Sequence, residues 1–193
     1  MDKIRLATKL KELEDAPNKK IRLEQYTTDI STAVDFLLLV DSLDRIRDKK
    51  IADFGCGNGI LGIGAAILCA KSVDMYDIDE MMVQICQENI KKLGLNRVNV
   101  CKKDLFDSTK HYETIISNPP FGFQSTFDIE AFIEKINDSS DSFFFLYKDN
   151  KKIRQIADKN SLSVQRLGDI ALAKTARFHR KEKLMLPICV VYR

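Results

Sequence analysis

The stretch Thr114–Phe123 sets the tightest limit on how this chain can fold. It reads Thr-Ile-Ile-Ser-Asn-Pro-Pro-Phe-Gly-Phe. The β-branched run Ile115-Ile116 predicts a buried strand, and Asn118-Pro119-Pro120 ends it. Two consecutive prolines remove two backbone donors and fix two φ angles, so neither a helix nor a central strand continues through them. What remains is a rigid elbow that opens on an amide and closes on an aromatic ring. Asn118 Oδ1 and the Pro119 carbonyl are two acceptors held near one another, with Phe121 beside them. Such a trio can hold the two hydrogens of an exocyclic amine while a ring stacks on its base. The bland alternative is a plain turn, since Asn-Pro alone commonly initiates one. The rest of the chain has to decide.

The patterning predicts alternating strands and helices. Asp2–Leu13 reads as a helix with Ile4, Ala7, Leu10 and Leu13 as its apolar stripe, and Pro17 follows it. A polar connector, Leu23–Thr28, leads to Asp29, a helix cap, and to a helix over Ile30–Leu43. Strands are expected at Lys49–Phe54, Ser72–Ile78, Arg97–Cys101, Tyr112–Ser117 and Ser142–Tyr147. Helices are expected at Ile60–Ala70, Glu80–Leu93, Thr126–Asn137 and Lys151–Asn160. Ser161–Ile170 and Leu184–Tyr192 read as two final strands. Five such alternations define an α/β class with a mostly parallel sheet. Pro187 lacks a ladder donor, so an irregularity is expected there in the last strand.

In an open parallel sheet, ligands bind beyond the C-terminal strand ends. The first strand end carries Asp53-Phe54-Gly55-Cys56-Gly57-Asn58-Gly59. Glycines let the backbone approach a ligand, and the next helix points free N–H groups there. Ile60 stands where a dinucleotide fingerprint needs its last glycine, and no Lys-Ser/Thr pair makes a P-loop. Asp77 ends the second strand about twenty residues on, the usual place for an acid that binds ribose hydroxyls. Asp104 ends the third strand and Asn118 the fourth. The turn suits a nucleoside ligand without a pyrophosphate.

At 193 residues, with 45% hydrophobic and 31% charged residues, the chain reads as one globular domain. The five cysteines include no Cys-x-x-Cys pair and only two histidines accompany them, so neither a disulfide framework nor a structural metal is expected. Free thiols point to a reducing, cytoplasmic setting. No apolar run reaches membrane-spanning length, and Glu12, Glu14 and Asp15 argue against a transit peptide. The net charge of +3 is mild. It concentrates in Lys174–Lys183, where Lys174, Arg177, Arg180, Lys181 and Lys183 face Glu182 alone. With Phe178 and His179 interleaved, this segment suits an RNA backbone better than a solvated hairpin tip.

These motifs, in this order, resemble the class I S-adenosylmethionine-dependent methyltransferases. The glycine turn looks like their first motif, Asp77 like their ribose-binding acid and Asp104 like the residue that meets the adenine amine of the cofactor. Asn118-Pro119-Pro120-Phe121 resembles the motif of enzymes that methylate planar amines. Leu23-Glu24-Gln25-Tyr26-x-Thr28, Asn-Pro-Pro-Phe-Gly and Arg177-Phe178-His179-Arg180-Lys181 together are similar to the methyltransferase-like group acting on one adenine N6 of small-subunit ribosomal RNA. There the basic segment usually reads Lys-Phe-His-Lys-Lys; the charge is kept here.

The resemblance implies a Rossmann-like seven-stranded sheet, mostly parallel with an antiparallel last strand inside it, and helices on both faces. It implies one domain over residues 1–193: a helix and cofactor-covering connector over 1–28, then the core over 29–193 with a basic hairpin at 174–183. The implied cofactor residues are Gln25, Tyr26, Thr28, Asp53, Gly55, Gly57, Asn58, Gly59, Ile60, Asp77, Ile78, Asp104, Leu105 and Asn118. Catalysis is expected from Asn118, Pro119, Pro120 and Phe121. RNA contacts are expected from Phe123, Lys174, Arg177, Phe178, His179, Arg180 and Lys181. A small zinc-finger activator is the implied partner. Competing expectations are guanine N2, DNA adenine or protein glutamine as the acceptor, or a non-catalytic RNA-binding subunit.

Overall fold

The computed structural model describes residues 2–17, 20, 24, 28–123, 126–173 and 183–193. Helix α1 (Lys3–Leu10) starts where Asp2 accepts from Arg5 N–H at 2.8 Å. It buries Leu6 and Leu10 against helix α2 (Ile30–Asp44) and helix α3 (Ile60–Ile67), while Ile4 is 80% exposed. Of the expected stripe, Leu10 is buried and Ala7 and Leu13 pack against the core, while Leu6 takes the buried place that Ile4 was expected to hold. An 8-residue helix is too short for spacing alone to choose between them. Asp29 caps α2 through Thr32 N–H at 3.0 Å. In α3, a Cβ on Gly62 or Gly64 would come within 2.3 Å of Met75 Sδ or Leu37 Cδ1. These two glycines let the helix sit unusually close to its neighbours.

The strands are β1 (Lys50–Phe54), β2 (Ser72–Asp77), β3 (Val98–Lys102), β4 (Tyr112–Ser117), β5 (Ser140–Lys148), β6 (Ser163–Ala173) and β7 (Lys183–Tyr192). Between them run α4 (Glu80–Lys92), α5 (Ile129–Asp138) and α6 (Lys151–Lys159). Asp79, Asp128 and Asn150 cap these helices through side-chain oxygens, and Gly94 follows α4 at φ +61°. The seven strands form one sheet in the order β3-β2-β1-β4-β5-β7-β6. Pairings among β1–β5 are parallel, and β7 is antiparallel to both β5 and β6. The expected sheet, with its inverted last strand inside, is the one observed. Ile115, Ile116 and Phe143–Leu146 are buried, as expected of strands covered on both faces.

Pro187 keeps register with Asp169, and the bulge lies instead on β6, between Arg166 and Gly168. The proline carbonyl accepts from Asp149 N–H at 2.8 Å, so its nitrogen also faces the β5 side. There the β5 ladder has already ended, at Lys148 opposite Ile188. The missing donor falls where no acceptor of the ladder waits. Because β6 runs parallel to β5, the Ala173–Lys183 end of the last hairpin lies at the same sheet edge as the end of β4.

Candidate active site

The first half of the site is the turn after β1. Gly59, at φ +89°, caps α3, and a Cβ there would fall 2.6 Å from Cys86 Sγ and 2.9 Å from Ile63 Cδ1. The N–H groups of Gly55 and Cys56 both donate to the Tyr76 carbonyl, at 2.8 and 3.0 Å. Gly57 N–H donates to Asp77 Oδ2 and Asp79 N–H to Asp77 Oδ1, each at 2.9 Å. The acid at the end of β2 thus holds the glycine turn to the next loop. Burial raises its carboxyl above the usual range, with the two N–H donors pulling it back. Each oxygen retains a second lone pair for a ligand hydroxyl.

Asp53 is only 1% exposed. Its Oδ2 accepts from Gly62 N–H at 2.8 Å, while Oδ1 is buried without a partner among the described residues. Burial pushes its carboxyl up to about 7, against the Gly62 donor and aided by the Asp77 charge. Asn58 is turned to structural use. It donates to the Glu14 carbonyl at 3.2 Å and accepts from Ile60 N–H at 3.3 Å. Two first-turn donors of α3, expected to face a ligand, are therefore taken by Asp53 and Asn58. The buried Asn89 donates to the carbonyls of Glu14 and Asn58 and accepts from Glu14 N–H, pinning the segment after α1 over the turn.

A cavity of about 160 Å³ opens here. Thr28, Asp53, Gly55, Gly57, Asn58, Ile60, Asp77, Ile78, Leu105, Asn118 and Pro120 line it. Gly59 stands behind the wall. Asp104 is exposed and its Oδ1 accepts from Phe106 N–H at 3.0 Å, capping the short turn Leu105–Asp107. Lys103 and Leu105 on either side reach the cavity instead. Gln25, Tyr26 and, in the basic segment, Lys174, Arg177, Phe178, His179, Arg180 and Lys181 lie outside the described residues. Glu24, Cys56, Tyr76, Met82 and Lys103 also line the cavity and were not singled out from the sequence.

The second half is the elbow after β4. Ser117 donates to the Phe54 carbonyl at 2.6 Å, tying β4 to β1 at the point where the prolines begin. Asn118 Nδ2 donates to Thr28 Oγ1 at 2.8 Å, which leaves Oδ1 buried and without a partner among the described residues. Glu24, buried and at φ +48°, accepts from Phe121 N–H through Oε2 at 2.7 Å. Glu24 is the main residue that sequence reasoning missed, although the connector containing it was recognised. Phe121 is 6% exposed, edge-on to Phe123 at 6.2 Å and to Tyr147 at 5.5 Å. With Pro119 it lines a second cavity, which shares Glu24, Thr28 and Asn118 with the first. The Asn118 amide therefore stands in the wall between two cavities. Phe123, 43% exposed, is the more open ring.

The sheet order, with β7 inverted between β5 and β6 and the cavity at the parallel strand ends, makes this chain a class I S-adenosylmethionine-dependent methyltransferase. Residues 27–143 match the model of the methyltransferase small domain, and the chain belongs to that family. It is 29% identical to the rRNA N(6)-adenosine-methyltransferase METTL5 of Danio rerio, over 93% of this chain and 96% of that one. It is 26% identical to metl-5 of Caenorhabditis elegans, which carries the same enzyme description, over 95% of this chain and 93% of that one. The crystal structure of a candidate RNA methyltransferase, PH1948 from Pyrococcus horikoshii, superposes with a TM-score of 0.87. That protein is 30% identical and the match covers 100% of this chain and 97% of that one. The family implies S-adenosylmethionine as the methyl donor. The unpartnered, buried Asp53 Oδ1 fits a cationic ligand, and the Asp77 carboxylate fits vicinal hydroxyls.

Proposed function

We propose that this chain methylates N6 of an adenine in small-subunit ribosomal RNA. The observation that carries this is the Asn118 amide, held by Thr28 through its nitrogen with its oxygen buried in the wall between the two cavities. The METTL5 relatives support the choice of acceptor. S-adenosylmethionine, when bound, supplies an electrophilic methyl group. Asp77 takes the ribose hydroxyls, Asp53 faces the positive charge of the methionine end, and Ile78, Met82 and Leu105 give the apolar walls of the adenine slot.

Adenine N6 is a poor nucleophile because its lone pair is delocalised into the ring. Asn118 Oδ1 and the Pro119 carbonyl accept the N6 hydrogens and favour a more tetrahedral nitrogen. Pro120 holds this geometry rigid, and Phe121 provides the apolar face for a base taken out of its stack. No strong base is required, since the amine sheds its proton after transfer. Lys174, Arg177, Arg180 and Lys181 bind phosphates while Phe178 and His179 stack on bases. Asp104 caps Phe106 through Oδ1 and stands outside the cavity lining, so we assign that wall to Lys103 and Leu105 and keep Asp104 as their anchor, its Oδ2 left for the cofactor amine.

No described helix is long and apolar enough to cross a membrane, and all five cysteines are free. We place the enzyme in the cytoplasm. A small zinc-finger activator stays in the proposal on the strength of the resemblance. The test is methyl transfer from labelled cofactor to total RNA lacking the modification, followed by nucleoside analysis. Label in N6-methyladenosine of small-subunit ribosomal RNA is the expected result. Label in N2-methylguanosine, or transfer to DNA or to protein glutamine when these are offered in place of RNA, would overturn the assignment of the acceptor.

A further inference from the structure

We propose that a groove beside the elbow seats the nucleotide adjacent to the target adenine, its base on Phe123 and its phosphate at Lys148 and Lys152. This rests on the RNA reading above. The groove encloses about 410 Å³ and is walled by Phe121, Gly122, Tyr147, Lys148, Asn150 and Lys152. Phe121 also lines the cavity beside Asn118, so the two spaces share one ring as a partition. An RNA strand with its target base at Asn118 has its next nucleotide on the groove side of that ring.

The local chain builds this platform. Phe121 is buried, and Gly122, at φ +73°, turns the backbone so that Phe123 emerges half-open. A single exposed aromatic on a protein surface is unremarkable by itself. This one is flanked by charge. Lys148 Nζ sits 4.5 Å from the Phe123 centroid and 5.8 Å from that of Tyr147. Among the described residues, neither Lys148 nor Lys152 has a carboxylate partner. The carboxylates of the same groove are engaged. Asp128 accepts from the N–H groups of Glu130 and Ala131, and Glu130 pairs with Lys159 at 3.2 Å. Lys148 closes β5 and Lys152 lies in the first turn of α6, so both stand at the catalytic edge of the sheet. An aromatic face beside two uncommitted ammonium groups is what an unpaired base and its phosphate require. Lys148 sits over the Phe123 ring, which is still 43% exposed.

The test uses a short single-stranded oligouridine with one central adenine, and two versions lacking the base on the 5′ or 3′ side of that adenine. Binding is read by fluorescence anisotropy across salt concentrations, and KM and kcat are measured on total RNA lacking the modification. Phe123→Leu should weaken binding roughly tenfold, and removing one flanking base should weaken wild-type binding similarly. The two losses should not add. Lys148→Gln and Lys152→Gln should each weaken binding severalfold and lower the salt slope by about 0.7. KM should rise in all three variants while kcat and S-adenosylmethionine affinity stay as in the wild type, the latter confirming the fold. Additive losses, or lysine variants with unchanged affinity and salt slope, would overturn the subsite. If the wild type methylates no RNA at all, the RNA reading itself falls. If it methylates RNA and the variants keep its KM, only the subsite does.

Discussion

Around Asp53 and Asp77 the contacts are local in sequence: Gly62 lies 9 positions from Asp53, and Gly57 and Asp79 lie 20 and 2 from Asp77. Around the elbow they are remote, with Asn118 meeting Thr28 across 90 positions and Phe121 meeting Glu24 across 97. One βαβ unit therefore sets the two carboxylates by itself, and Asn89, the segment after α1, Lys103 and Leu105 complete the cavity around them. The elbow takes its geometry only when Thr28 and Glu24 meet Asn118 and Phe121. The lesson is that binding of the methyl donor and alignment of the acceptor rest on separable sets of contacts. Each set can be damaged while the other is watched.

The largest expected effect comes from Asn118→Ala. In the proposed role the amide holds an amine whose charge and shape change in the transition state, so its loss should fall on kcat more than on KM. A drop of about 10²–10³ in kcat is expected, by analogy with the removal of one preorganised hydrogen-bonding group. Cofactor affinity, measured by calorimetry, should stay near wild type. Transfer at the wild-type rate would reduce the elbow to a proline turn.

Asp77→Ala strikes the other end. Loss of charge-assisted bonds to ribose should cost about 1.5–3 kcal/mol of cofactor binding. An acid that served only the ligand could be removed with the fold untouched. The two N–H groups held by Asp77 say otherwise, and the variant should also melt earlier because the glycine turn loses its anchor. An unchanged dissociation constant would count against the assignment.

Glu24→Ala sharpens the comparison, because Glu24 lines both cavities and accepts from Phe121 N–H of the elbow. Leaving the Phe121 N–H without that acceptor should cost about 1–3 kcal/mol. We expect kcat to fall about tenfold, while Glu24→Gln, which keeps an acceptor, restores most of it. Equal damage by both variants would show that the charge, not the bond, matters.

Asp53 gives a pH signature confined to the cofactor end. Its carboxyl is raised from the ordinary carboxylate range to about 7 in the folded chain. Between those limits the folded state holds a proton that the unfolded state has released. The ligand-free protein should therefore lose stability as pH rises through that window and level off above it. Cofactor affinity should move oppositely, rising through about 7 as Asp53 becomes an anion facing a cation. Asp53→Asn should flatten both curves, in denaturation and in calorimetry. The smallest effects are expected from single neutralisations of Lys174, Arg177, Arg180 or Lys181. Each should lower the salt slope of RNA binding by about 0.7 and leave cofactor affinity alone.

Much of this was legible beforehand because it is written in short range. A glycine turn after an apolar run, an acid about twenty residues on, and two prolines ending a β-branched strand each announce themselves within a few residues. The helix cap at Asp29 follows the same logic, whereas Asp128 caps a helix that was expected to begin at Thr126. Ile4 was misplaced because an 8-residue amphipathic helix admits two apolar rows, and only packing on α2 and α3 selects Leu6 and Leu10. Glu24 escaped because an acid in a polar connector looks solvated until a distant N–H reaches it. Lys148 escaped because, at the end of a strand, it reads as the edge of an apolar run.

By itself, then, the sequence determined the order of elements, the sheet class, the turn that faces the cofactor and the rigidity of the elbow. These depend on backbone preference and on burial patterns that act over a few residues. Only the tertiary structure decided that Thr28 takes the Asn118 amide nitrogen and leaves its oxygen in the cavity wall, that Glu24 braces Phe121, and that Phe121 is enclosed while Phe123 stands open. Those outcomes are hydrogen bonds and ring contacts between segments many tens of positions apart. No local propensity encodes them, because each partner is satisfied only after the sheet has brought the other into reach.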